Sequence, residues 1–157
     1  MRKIKVLFLD VQNNKKPVAM EIEDTIESYY KLIGCDGIDI VRRYISGKPY
    51  CIVCDDEGRL KANPKLSVAD SMLDAPIAGN VIITGDVCRD EQTSLTDGDI
   101  EAIQERVLKW ANQYIITQAE VSPKYAKKGD IICPPVEPSD IVCRELTEED
   151  IKKLLGV

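Results

Sequence analysis

No histidine occurs among the 157 residues of this chain. Without it there is no Ser-His or Cys-His nucleophile, no imidazole general base and no metal site with a histidine ligand. Any chemistry must come from Asp, Glu, Lys, Cys, Tyr or a bound cofactor, and this absence favours a non-catalytic protein. Long apolar runs are also missing. The start, MRKIKVLFLDV, has the basic flank of a signal peptide, but its uninterrupted apolar run extends only from Val6 to Leu9 before Asp10. A secretory core needs roughly 7–15 such residues and a membrane span about 20, so a soluble, cytoplasmic protein is expected. Glycine-rich phosphate loops are absent, because GCDG and TDGD lack the required spacing. Basic charge is in deficit. A net charge of −6 and a pI near 4.8 argue against general nucleic-acid binding and suit a solvated acidic surface.

What is present describes an ordinary globular chain, with 44% hydrophobic and 31% charged residues. One domain of this length buries a core without staples. In a reducing cytosol the six cysteines, at 35, 51, 54, 88, 133 and 143, read as free thiols.

Ile4 to Val11 reads as a buried strand, and PVAMEIE alternates Val18, Met20 and Ile22, so the two form a hairpin around QNNKK. In DTIESYYKLIG, Ile26, Tyr29, Tyr30 and Ile33 keep helical spacing, Asp24 with Glu27 forms a capping pair, and Gly34 is a stop. Ile38–Ile45 and Tyr50–Cys54 form a second hairpin across SGKP, followed by a type I turn at DDEG. Arg59 to Ala62 extends as a short strand, residues 63–79 read as irregular, and NVIITG returns to strand. SLTDGDIEAIQERVLKWANQYI reads as the longest helix, with a capping box at Thr96 and Asp99 and a staple from Leu95 to Ile100. Its apolar stripe is Ile100, Ile103, Val107, Trp110 or Ala111, and Tyr114. These elements predict an α+β fold with one antiparallel-rich sheet packed against two main helices, near 25–33 and 97–115, and a short C-terminal helix. The expected domain spans 1–117. An extension, 118–157, holds four of the eight prolines, two short strand-like runs and the capped helix LTEEDIKKLLG, and packs on that domain.

In chain order, EIEDTIESYYKLIG, CIVCDDEGRLKANP, IAGNVIITGD and SLTDGDIEAIQE make residues 3–112 resemble the domain of unknown function 3846 family. That family comprises small proteins of bacteriophages, plasmids and Gram-positive gut bacteria. The resemblance implies an accessory protein of a mobile element and carries no activity or catalytic residue with it. KANPKLSVADSML departs from the proline-rich LPPN-like segment that family members have after EGRL. Residues 115–157 lie outside the resemblance.

Four clusters are candidate sites. Cys51 and Cys54 have zinc-knuckle spacing, but Ile52 and Val53 between them form strand, which sends the two sulfurs to opposite faces. Asp55, Asp56 and Glu57 offer hard oxygen ligands for a divalent cation, against the commoner role of a solvated turn. Asp86, Cys88 and Asp90 gather in GDVCRDEQ after a strand, where a carboxylate- or thiol-based enzyme would place its groups. Lys124, Lys127 and Lys128 surround Tyr125 and form a candidate anion site. No cofactor is implied. The leading reading is a binding or regulatory protein acting on a host protein or small ligand. The alternatives are a histidine-free enzyme and an assembly protein that uses the C-terminal extension.

Overall fold

The computed structural model describes residues 2–46, 48–58, 60–61, 64–69, 77–88, 91–110, 113–117, 120–121, 141–142 and 149. The chain opens with β1 (Lys3–Leu9) and β2 (Val18–Glu23), an antiparallel hairpin that pairs Lys3 with Glu23 through Phe8 with Val18. β1 is apolar on both faces: Ile4 and Val6 are buried on one side, Leu7 and Leu9 on the other. A strand of that pattern belongs inside a sheet covered on both sides.

Helix α1 (Ile26–Ile33) follows, capped by Thr25, whose hydroxyl accepts from Ser28 N. Gly34 ends it in the left-handed region at φ 80, and the amides of Gly34 and Cys35 donate back to Tyr30 O. Asp24, expected as the cap, instead accepts from the Tyr29 hydroxyl at 2.7 Å and pairs with Arg2. β3 (Ile38–Ile45) and β4 (Lys48–Asp55) form the second hairpin, paired from Ile38 with Asp55 to Ile45 with Lys48. β5 (Leu66–Ala69) and β6 (Ile77–Ala78) come next, then β7 (Val81–Cys88) and β8 (Glu91–Thr93). After α2 (Asp97–Gln104) the chain makes β9 (Val107–Trp110), β10 (Gln113–Thr117), β11 (Glu120–Val121) and β12 (Ile141–Val142).

The large sheet runs β2-β1-β7-β4-β3, with β8 added beside β7. All its pairings are antiparallel. Helix α1 covers one face, seating Tyr29 and Ile33 on Ile4, Val6, Val53 and Ile82. The other face presents Leu7, Leu9, Tyr50, Ile52, Val81 and Ile83 to a second sheet, β6-β5-β10-β9, and to α2. Val68, Ile77 and Ile116 come from that sheet, Ile100 and Ile103 from the helix. Truncating fully buried Ile103 or Ile116 to Ala costs about 2–5 kcal/mol.

This corrects the expected α+β fold with one sheet and two main helices. Among the described residues the protein is mainly β, with two layered sheets and two helices of eight residues each. The helix expected over 97–115 stops at Gln104. Its sequence, DGDIEAIQ, contains Gly98, and Glu101 and Glu105 sit at the end where carbonyls favour cations. Arg106 N donates to Ile103 O and its Nε to Ser46 Oγ, turning the chain into the β9–β10 hairpin. The stripe residues Val107 and Tyr114 therefore face the core from strands, where β-branched and aromatic residues pack well. Within the stretch read as irregular, β5 and β6 are strands, and β5 pairs in parallel with β10. Leu60 and Lys61 lie in a turn rather than a strand. Of the extension 118–157, the β11–β12 ladder is described. Apart from Glu149, which is helical, the C-terminal capped helix lies outside the described residues, as does the run Ile131–Cys133.

Candidate functional site

The turn after β4 folds against the end of α1. Asp56 N donates to Gly37 O at 3.2 Å, and an open cleft of about 610 Å³ lies between the two, lined by Tyr30, Lys31, Cys35, Asp36, Glu57 and Lys61. Asp55 holds the turn: one carboxylate oxygen accepts from Glu57 N at 2.9 Å and the other pairs with Lys61 Nζ at 2.6 Å. Its side chain is 8% exposed. Of the acidic trio, Asp55 is thus spent on the fold, and Asp56 and Glu57 are exposed. Among the described residues, no three of Asp, Glu, Cys or His come together in a geometry that could hold a metal ion. Burial pushes the half-buried Cys35 thiol up, away from the reactive thiolate.

Asp86 lies inside β7 rather than in a loop after it, and GDVCRDEQ is the β7–β8 hairpin, with Cys88 paired to Glu91. Arg42 reaches over β4 from β3 and grips this carboxylate twice, Nε to Oδ1 at 3.0 Å and Nη2 to Oδ2 at 2.8 Å. Val87 N donates to Oδ1 as well. The same guanidinium lies over the Tyr44 ring, 5.4 Å from its centre. Asp90, the Cys88 side chain, and Lys124, Lys127 and Lys128 lie outside the described residues.

Cys51 and Cys54 both sit on β4 and are free. Cys54 packs with Ile52 on the side of the second sheet, while Cys51 pairs with Thr84 in the ladder and points the opposite way. Burial pushes both thiols up, Cys54 to about 11.

One further site is a polar network with a buried carboxylate at the start of α2. Asp99, 7% exposed, accepts from Lys48 Nζ at 2.6 Å, from the Tyr50 hydroxyl at 2.9 Å and from Thr96 N at 2.9 Å. Thr96 Oγ1 in turn accepts from Asp99 N, completing the capping box. Burial raises the Asp99 carboxyl, but Lys48, the Thr96 amide and Tyr50 together outweigh it and hold it at about 2. The spacing of Thr96 and Asp99 revealed the cap. Nothing local signals that Tyr50 and Lys48 of β4 meet it, just as the RRY of β3 does not name Asp86 as the partner of Arg42.

Among the described residues no helix is long and apolar enough to cross a membrane. No curated protein and no solved structure matches the chain. Residues 4–108, 105 of the 157, do match a family described as a domain of unknown function, DUF3846. They run from the start of β1 into β9, through the whole large sheet, both helices and the cleft. On that match the chain belongs to the DUF3846 family.

Proposed function

We propose that this protein is a cytoplasmic, non-catalytic binding or regulatory accessory of a mobile genetic element, contacting a host protein or small ligand at the cleft beside α1. The observation that carries this reading is the state, among the described residues, of several carboxylates and thiols that an enzyme could use. Asp24, Asp55, Asp86 and Asp99 are each held by a cation. The thiols of Cys35, Cys51 and Cys54 are each pushed up by burial. Asp24 and Asp99 are lowered and so are poor proton acceptors, and a protonated thiol is a poor nucleophile. The cleft offers recognition instead, lined by Tyr30 and by charges of both signs at Lys31, Asp36 and Glu57. Family membership supports the accessory role and leaves the partner open.

The test is quantitative capture from host extract and metabolite pools on immobilised protein, alongside the Lys31→Glu and Glu57→Lys variants. Both positions are exposed, so the fold should tolerate the changes. The proposal expects a partner kept by the parent chain and lost from a folded variant. Nothing retained, or equal retention by all three, contradicts it.

A further inference from the structure

The outer strands of the two sheets are unequal. β2 has six residues, β6 two and β9 four, whereas β3 has eight and pairs with β4 from end to end without a bulge. β3 ends the order of the large sheet, and among the described residues no strand lies on its outer side. Soluble proteins blunt such edges with shortness, proline, lysine or a bulge, because a regular open edge pairs with another chain. IDIVRRYI has no proline, lysine or bulge, and its charges, Asp39, Arg42 and Arg43, are of both signs, so a partner strand must match them.

We propose that β3 is the edge through which two copies of this chain join, antiparallel about a two-fold axis at Val41, into one continuous sheet. The strand is complementary to itself in that register. With Val41 facing its counterpart, Asp39 stands opposite Arg43 of the second copy and Ile38 opposite Tyr44, and each pair occurs twice. Opposite charges and apolar–aromatic pairs are the favourable cross-strand combinations. Ile40, 44% exposed, stands opposite Arg42, whose charge is already matched by Asp86 of its own chain.

Other registers fail on the same residues. Cross-strand partners must share a face of the sheet, so the axis falls on a residue and not between two. An axis at Ile40 leaves no ion pair within the strand. An axis at Asp39, Arg42 or Arg43 sets a charge against its own copy. Val41 alone aligns opposite charges.

Sedimentation equilibrium of the full chain over a concentration series tests this, with circular dichroism to confirm folding. The parent chain dimerises reversibly, Asp39→Arg and Arg43→Asp each weaken the dimer by at least about tenfold, and the double exchange Asp39→Arg/Arg43→Asp restores it. A chain that is monomeric at every concentration, folded single variants that dimerise as before, or a folded double exchange that stays weak would each overturn the proposal. If a charge variant does not fold, Val41→Cys decides. Antiparallel neighbours on the axis place Cα atoms about 4.5–5.5 Å apart, within disulfide reach. Mild oxidation then links the two introduced thiols, identified by peptide mapping. Their failure to crosslink in folded protein refutes the register.

Discussion

Tyr50 donates its hydroxyl to Asp99 Oδ1 at 2.9 Å, so a side chain from the middle of the large sheet fixes the first turn of α2. Asp99→Ala removes the side-chain half of the capping box and leaves a buried phenol and the Thr96 amide without their acceptor. A loss of about 2–4 kcal/mol is expected. Urea melts of the two proteins should shift in midpoint at constant slope.

The same carboxyl makes stability depend on acid. Its folded value of about 2 lies below the ordinary 3.8, so the folded state holds the proton less tightly than the unfolded one. The contribution is complete above the ordinary value and disappears as the pH falls through about 2, amounting to roughly 2–3 kcal/mol. Asp24, lowered beside Arg2 and Tyr29 against its burial, acts in the same direction. Melts between pH 5 and 2 on the parent chain should show a slope that Asp99→Ala flattens.

Cysteine reactivity should follow burial. Alkylation of native protein near neutral pH, mapped by peptide mass, is expected to reach half-buried Cys35 before Cys51 and Cys54. Cys54 also makes stability fall in alkali. Its folded value of about 11 exceeds the ordinary 9.0, so its stabilisation is complete below 9.0 and lost as the pH rises through about 11. Equal labelling of the three thiols at low reagent would contradict the strand geometry of β4.

Arg42 and Asp86 form a two-bonded pair in which each side chain is about one-third exposed. A double-mutant cycle with Arg42→Ala and Asp86→Ala should give a coupling of about 0.5–1.5 kcal/mol. Asp86→Asn together with Cys88→Ser should leave every phenotype of the gene intact. Loss of a phenotype in a folded, fully stable variant would revive a carboxylate- or thiol-based reaction.

Gly58 lies close against β6. A Cβ there would meet Ala78 O at 2.3 Å, which backbone cannot yield cheaply. Gly58→Ala should cost about 1–3 kcal/mol and loosen the turn from the second sheet, seen as lower protection of Gly79 and Ala78 amides in hydrogen exchange.

Much of the large sheet was readable from sequence, because its cues are local. The alternation in β2, the short link between Ile45 and Lys48, and the capping box at Thr96 each act over a few residues. The second sheet was not. Leu66–Ala69 is too short to announce itself, and its partner β10 lies far along the chain. Val107 and Tyr114 fit a helical stripe and a hairpin equally well, and the decision came from packing against the core between the sheets, which no local pattern encodes. The site suffered similarly. Asp86 and Asp55 stood out as chemistry-bearing residues, but Arg42 and Lys61, which neutralise them, became visible only through strand order and turn geometry.

The parallel pairing of β5 with β10 sets Val68 beside Ile116, and Ile115 and Ile116 are fully buried. This strand lies beyond the family match, which stops at residue 108. During synthesis, Val68, Ile77 and the inner face of the large sheet therefore emerge long before the strand that completes their layer. Until Thr117 has left the ribosome, that apolar face is covered only in part, by α2 and the β5–β6 pair. Completing this layer requires one late, long-range closure, the kind of contact that slows folding.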